Sequence, residues 1–271
     1  MAAHPEHLVE GSANGLAVRT FDPADDAGAP PVLLVHGFAS STELNWVSTG
    51  WIAALNDAGR RAIAVDLPGH GASPAPEDLD AYTPSRIRAD LLQVLQDQHV
   101  RPLREGDPGS GVDVLGYSLG SRLAWEFGAT QPQLVRGLVL GGAAAHDPLA
   151  DFDLAAAQRH LADGSTIEDA RTAELLRMAR LVPGNDLFAL MSMVEAVKSE
   201  PFDPAHTVPG MPVLLVAGDR DGMAATLPEL TALLRVRGTE VAEHLLPART
   251  HANAVTSRSF KQRTLEFLSA R

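Results

Sequence analysis

Near-continuous apolar runs punctuate the chain at residues 31–37 (PVLLVHG), 61–67 (RAIAVDL), 112–117 (VDVLGY), 136–142 (RGLVLGG) and 212–219 (PVLLVAGD). Short runs rich in Val and Leu read as strands buried on both faces of a parallel sheet. TEVAEHLLP at 239–247 mixes in polar residues and predicts one more strand, nearer an edge. GLAVRTFD at 15–22 alternates, which places it in an antiparallel N-terminal hairpin. Helical patterns fall between these runs. One opens at TPSRIRADLLQVLQ, with Thr83 as N-cap and Pro84 at the first helical position. Others follow Ser118, start near Thr226-Leu227-Pro228, and run from near Ala254 to the C-terminus. Alternating buried strands and helices predict an α/β fold with a doubly wound, mostly parallel sheet.

Residues 147–210 break that rhythm. They hold no convincing strand and three helical segments, so they predict a helical cap inserted into a core domain made of 1–146 and 211–271. The middle segment carries a capping-box pattern, Ser165 with Glu168 three residues on. The third, NDLFALMSMVEAVKS, spaces Leu187, Leu190, Met191 and Val194 helically, with Phe188 and Met193 beside them. An insertion there is expected to lie over the C-terminal edge of the sheet, where such folds bind ligands.

Composition narrows the classes. The 271 residues are 45% hydrophobic and 21% charged, the balance of a globular chain with a sizeable core. A formal net charge of -12 argues against a nucleic-acid or anionic-membrane partner, since both reward basic surfaces. The absence of cysteine removes disulfides, thiolate metal sites and cysteine nucleophiles. The polar start MAAHPEHLVEGSANG has no secretory pattern, and no apolar run reaches membrane-spanning length, so a cytoplasmic location is expected. Oligomeric state is not legible.

The chemistry centres on Gly116-Tyr117-Ser118-Leu119-Gly120, at the junction of a predicted strand and helix. A serine held on so sharp a turn needs small neighbours, and the helix N-terminus favours negative charge beside its hydroxyl. Composition alone yields such a pattern roughly once in ten chains, so the strand-to-helix context is what raises it above a structural turn serine. A serine nucleophile needs a base, itself oriented by an acid. Asp219 and Asp221 follow one late strand, and His251 follows the next, giving the order Ser, Asp, His.

With those residues in place, the chain resembles the α/β-hydrolase superfamily, specifically its serine carboxylesterase-like members with a helical cap. The motifs are His36-Gly37-Phe38, the segment DLPGHGAS from Asp66 to Ser73, GYSLG, Gly218-Asp219-Arg220-Asp221 and the late His251. The likeness covers essentially the whole chain and does not specify a substrate. It implies Ser118 as nucleophile, His251 as general base and acid, and Asp221 as the orienting acid in preference to Asp219, which is left to cap the turn. Asp147 stands where some members place the acid. Thr250 stands where a glycine is common, an expected change in loop and not in role. The backbone amides of Phe38 and Leu119 are implied as the oxyanion donors.

The other nine histidines take a plain reading. His36 and His70 belong to structural turns, His244 to a strand, and His4, His7, His99, His146, His160 and His206 show no paired spacing. No metal site and no cofactor are expected. Asn45, Trp46, Phe188 and Met191 are the candidate substrate contacts, with at least one of Trp46 and Trp51 in the core. The implied activity is hydrolysis of small-molecule carboxylic esters of small or medium acyl chain. The same triad acting on C–C bonds, lactones, thioesters, amides or in perhydrolysis is the alternative, followed by a non-catalytic ligand-binding hydrolase fold. A lipase would want a larger apolar entrance, and dehalogenases and epoxide hydrolases use a carboxylate nucleophile where Ser118 stands.

Overall fold

The computed structural model describes residues 6–9, 15–147, 149–182 and 184–270. Most of the polar N-terminal stretch, with His4 and the side chain of His7, lies outside the described residues. Among the described residues eight strands form one sheet: β1 (Glu6–Val9), β2 (Val18–Phe21), β3 (Val32–Val35), β4 (Ala62–Val65), β5 (Val112–Tyr117), β6 (Val135–Gly141), β7 (Val213–Gly218) and β8 (Val241–Leu246). Their order is β1-β2-β4-β3-β5-β6-β7-β8. The β1-β2 and β2-β4 pairings are antiparallel and the others parallel, so the expected N-terminal hairpin sits on one edge and β8 on the other.

The strand period of two feeds two cores. Leu33 and Val35 of β3, Ile63 and Val65 of β4, and Val112 and Val114 of β5 face one layer. Val32, Leu34, Ala62, Ala64, Leu115 and Tyr117 face the other. The first layer is closed by α2 (Pro84–Asp97), α3 (Leu119–Thr130) and α7 (Leu227–Arg237); the second by α1 (Trp51–Asp57) and α9 (Arg258–Ser269). Thr83 caps α2 through the Arg86 N–H, with Pro84 at its start. The last helical run is two elements instead of one. A single turn, α8 (His251–Ala254), precedes α9, which Ser257 caps through the Phe260 N–H.

Between β6 and β7 the chain forms α4 (Leu154–Asp163), α5 (Ala170–Leu181) and α6 (Leu187–Ser199). The capping box read at Ser165 and Glu168 does not form. Helix α4 ends on left-handed Gly164, and α5 starts later, capped by Asp169 through the Thr172 N–H. Among the described residues no helix is long and apolar enough to cross a membrane.

Candidate active site

Strand β5 delivers Ser118 to the C-terminal edge of the sheet with φ 55 and ψ -117, a conformation few non-glycine residues adopt. Its neighbours must be glycine because backbone passes too close. A Cβ on Gly116 would lie 2.3 Å from Gly120 O, and one on Gly120 would lie 2.1 Å from Val35 O. The turn is pinned by the Ser118 N–H donating to Gly141 O at 2.8 Å.

His251 reaches this turn from the start of α8, after β8. Its Nε2 lies 2.8 Å from Ser118 Oγ, and its Nδ1 lies 2.8 Å from Asp221 Oδ2. Burial pushes the Asp221 carboxyl up, but the hydrogen bond and charge of His251 and the Met223 N–H outweigh it and hold the group below the usual carboxylate value. An ionised carboxylate only accepts hydrogen bonds, so His251 donates from Nδ1, and in the neutral imidazole that tautomer turns the acceptor Nε2 toward the serine hydroxyl. That chain can move a proton from Ser118 Oγ to His251 when an electrophile arrives. Tyr117 holds the imidazole from below: its hydroxyl donates to His251 O and its ring lies 5.6 Å from the imidazole. Thr250 is extended (φ -97, ψ 173) and needs no glycine; its N–H donates to Asn253 Oδ1 at 2.9 Å, fixing the turn that presents His251.

The remaining acids are engaged or distant. Asp147 pairs with Arg122. Asp219 is exposed, and the cap of its turn is Asp221 itself, which accepts the Met223 N–H at 3.0 Å. His36 and His70 are fully buried. Burial lowers both, His70 to about 3, so they are neutral acceptors: His36 Nε2 takes the Leu67 N–H at 3.0 Å and His70 Nε2 takes the Ala39 N–H at 3.1 Å. Asp66 accepts the N–H groups of Thr42 and Ala72. These bonds shape the loop that carries Phe38. Among the described residues no cluster of His, Asp and Glu could hold a metal ion.

A cavity of about 720 Å³ opens above Ser118. Phe38, Asn45 and Tyr117 line it, and the Leu119 N–H, a first-turn amide of α3, has no partner within its helix. Three expected contacts lie elsewhere. Trp46 is fully buried against Trp51, so both indoles are core. Met191 is buried on the inner face of α6, and Phe188, in its first turn, is 74% exposed. The helix that faces the cavity is α5, through Arg171, Glu174, Leu175 and Met178. These fall at i, i+3, i+4 and i+7, a stripe visible in the sequence, but its mixture of charge and apolarity is that of any surface helix. His146, read as having no site role, also lines the cavity.

A family model described as alpha/beta hydrolase fold matches residues 30–174, more than half of the chain. Among curated proteins, the chain is 41% identical to epoxide hydrolase A of Mycobacterium tuberculosis over 97 residues, which cover 36% of this chain and 28% of that protein. It is 34% identical to an esterase of the same species over 155 residues, covering 57% of this chain and 43% of the esterase. The chain thus spans less than half the length of these relatives. A solved carboxylesterase of Nitrososphaera gargenis superimposes with a TM-score of 0.73 at 16% identity, over 97% of this chain and 98% of that one. The serine hydrolase of carbazole degradation, CarC, gives 0.68 at 23% identity, over 99% and 100%. At such identities the likeness concerns the fold alone.

Proposed function

The chain belongs to the alpha/beta hydrolase fold family, and from that premise we propose that it is a serine hydrolase cleaving carboxylic esters of small or medium acyl chain. The observation that carries the proposal is the hydrogen-bonded series Ser118, His251, Asp221 beneath the cavity. Ser118 Oγ attacks the ester carbonyl while His251 Nε2 takes its proton. Asp221 holds the imidazole and stabilises the imidazolium. The Phe38 and Leu119 amides stabilise the oxyanion of the tetrahedral intermediate. His251 returns the proton to the leaving alcohol, an acyl-enzyme forms, and water repeats the cycle to release acid and restore Ser118. No cofactor enters this cycle. Leu149, Leu175, Met178 and Val255 offer the acyl chain an apolar wall.

The epoxide-hydrolase relatives raise a second reading, ring opening at an sp³ carbon. Attack there by Ser118 would leave an ether on the enzyme, which the triad has no means to hydrolyse. A carboxylate nucleophile would leave an ester instead, so Ser118 favours acyl transfer.

Short p-nitrophenyl esters and styrene oxide, offered side by side, test both readings. Ester turnover that Ser118→Ala lowers about 10⁴-fold or more, with the circular dichroism spectrum unchanged, is expected. Ester turnover persisting in Ser118→Ala, or turnover of the epoxide alone, overturns the proposal.

A further inference from the structure

The three-helix insertion is fastened to the core at both of its roots, and both fastenings converge on one side chain. Arg122 lies one turn beyond Ser118 on α3 and is only 4% exposed. Its Nη1 donates to Asp147 Oδ2, where the chain leaves β6 for the insertion. Its Nη2 donates to Glu200 O, just past the end of α6, where the chain turns back toward β7. The same guanidinium lies over the Phe202 ring at 5.5 Å.

Each root extends the connection further. Asp147 Oδ1 accepts the Leu149 N–H at 2.9 Å, and Leu149 is a wall of the cavity. The Glu200 carboxylate accepts the Ser85 N–H at 2.8 Å and the Ser85 hydroxyl at 2.5 Å, at the start of α2. On α3 itself, Glu126 lies 3.8 Å from Arg122 and pairs with Arg88 of α2. The planar fork of arginine presents two nitrogens in a fixed geometry, one to each root, whereas lysine carries all its donors on one nitrogen.

We propose that Arg122 is a positioning residue. One guanidinium holds both roots of the insertion against the helix that begins at Ser118, and thereby sets the position of Leu149 and of α5 over the acyl end of the cavity. The kinetic part of this inference rests on the ester-hydrolase reading; the structural part does not.

Arg122→Lys separates the two-root fastening from charge alone, because lysine keeps the charge but has one nitrogen where arginine places Nη1 on Asp147 and Nη2 on Glu200 O. Hydrogen exchange of the full chain is expected to rise about tenfold in α4, α5 and α6 while β5 and α3 keep their protection. In the same preparation, KM for p-nitrophenyl hexanoate is expected to rise about fivefold, with kcat for p-nitrophenyl acetate held within about twofold. Exchange that rises equally across the whole chain would reduce Arg122 to an ordinary buried ion pair and overturn the inference. Unchanged exchange in the insertion would overturn it as well. Should Arg122→Lys not fold, Asp147→Asn keeps the oxygen that receives Leu149 N–H and removes the charge, and the same exchange pattern decides. A wild-type protein without ester turnover would defeat the functional reading and leave the exchange measurement to judge the fastening.

Discussion

The two ends of β5 carry two opposite kinds of polar site. At its start Asp113 is wholly buried and receives Arg60 and Arg136, each at 2.7 Å. Both guanidiniums also donate to Leu268 O near the end of α9, at 2.8 and 3.1 Å. Five residues later Ser118 sits in a strained backbone, its hydroxyl against an imidazole whose side chain is 35% exposed. The first site is paired and closed, so its charges do nothing but hold strands and the last helix in register. The second is hydrogen-bonded yet open, so its proton can move. Strain of about 1–3 kcal/mol at a residue such as Ser118 persists only where its surroundings over-determine it, here the Gly141 O that accepts its N–H and the close backbone passes at Gly116 and Gly120.

The sharpest way to break this comparison is to change one carboxylate at each end. Asp221→Asn should lower kcat for a short ester about 10⁴-fold with almost no change in melting temperature, because an amide can hold His251 in the wrong tautomer. Asp113→Asn should do the reverse. It leaves the buried Arg60 guanidinium and the half-buried Arg136 guanidinium without the Asp113 charge, a loss of about 3–5 kcal/mol measured by chemical denaturation, with kcat per folded molecule preserved. A variant of Asp113 that folds stably and loses turnover would end the division of labour between the two ends.

Much of this division was legible in the sequence. The parallel strands were readable because strands buried on both faces are near-continuously apolar, and Ser118, Asp221 and His251 each follow a strand of their own. Asp113 was the interruption in its run, and nothing local names its partners. Arg60 precedes β4 and Arg136 lies within β6, so only the sheet order brings them together. The insertion was the least legible part. Apolar spacing in α6 marks a buried face, but the same pattern serves packing against the core and lining a cavity. Met191 took the first role while the mixed stripe of α5 took the second. Trp46 and Trp51 were likewise ambiguous until the loop closed Trp51 Nε1 onto Val255 O at 2.8 Å.

Tyr117, the last residue of β5, tests how far the open end depends on its packing. Burial and the Asp221 charge push its phenol up, so it stays a neutral donor to His251 O. Tyr117→Phe removes that bond, together with the phenol's bond to the Val255 backbone, and keeps the ring. About 1 kcal/mol is at stake, equivalent to a roughly fivefold fall in kcat with KM for a short ester unchanged. A fall in kcat as large as that of Asp221→Asn would make Tyr117 part of the proton path and not a support for it.

The smallest effect is silent at neutral pH. His70 titrates near 3 in the fold against 6.5 in an unfolded chain, because burial and then the neighbouring His36 oppose its charge. The unfolded state therefore binds the extra proton across the interval from 6.5 down to about 3, and stability falls as pH drops through it. His70→Gln keeps an acceptor for the Ala39 N–H but has nothing to titrate. Urea unfolding of the two proteins at pH 7.5, 6.0 and 5.0 should find a shallower decline of stability on acidification for the variant. Parallel declines would mean that His70, in the turn after β4, is not what acid attacks first, and would shift attention to the carboxylates at the open end of the sheet.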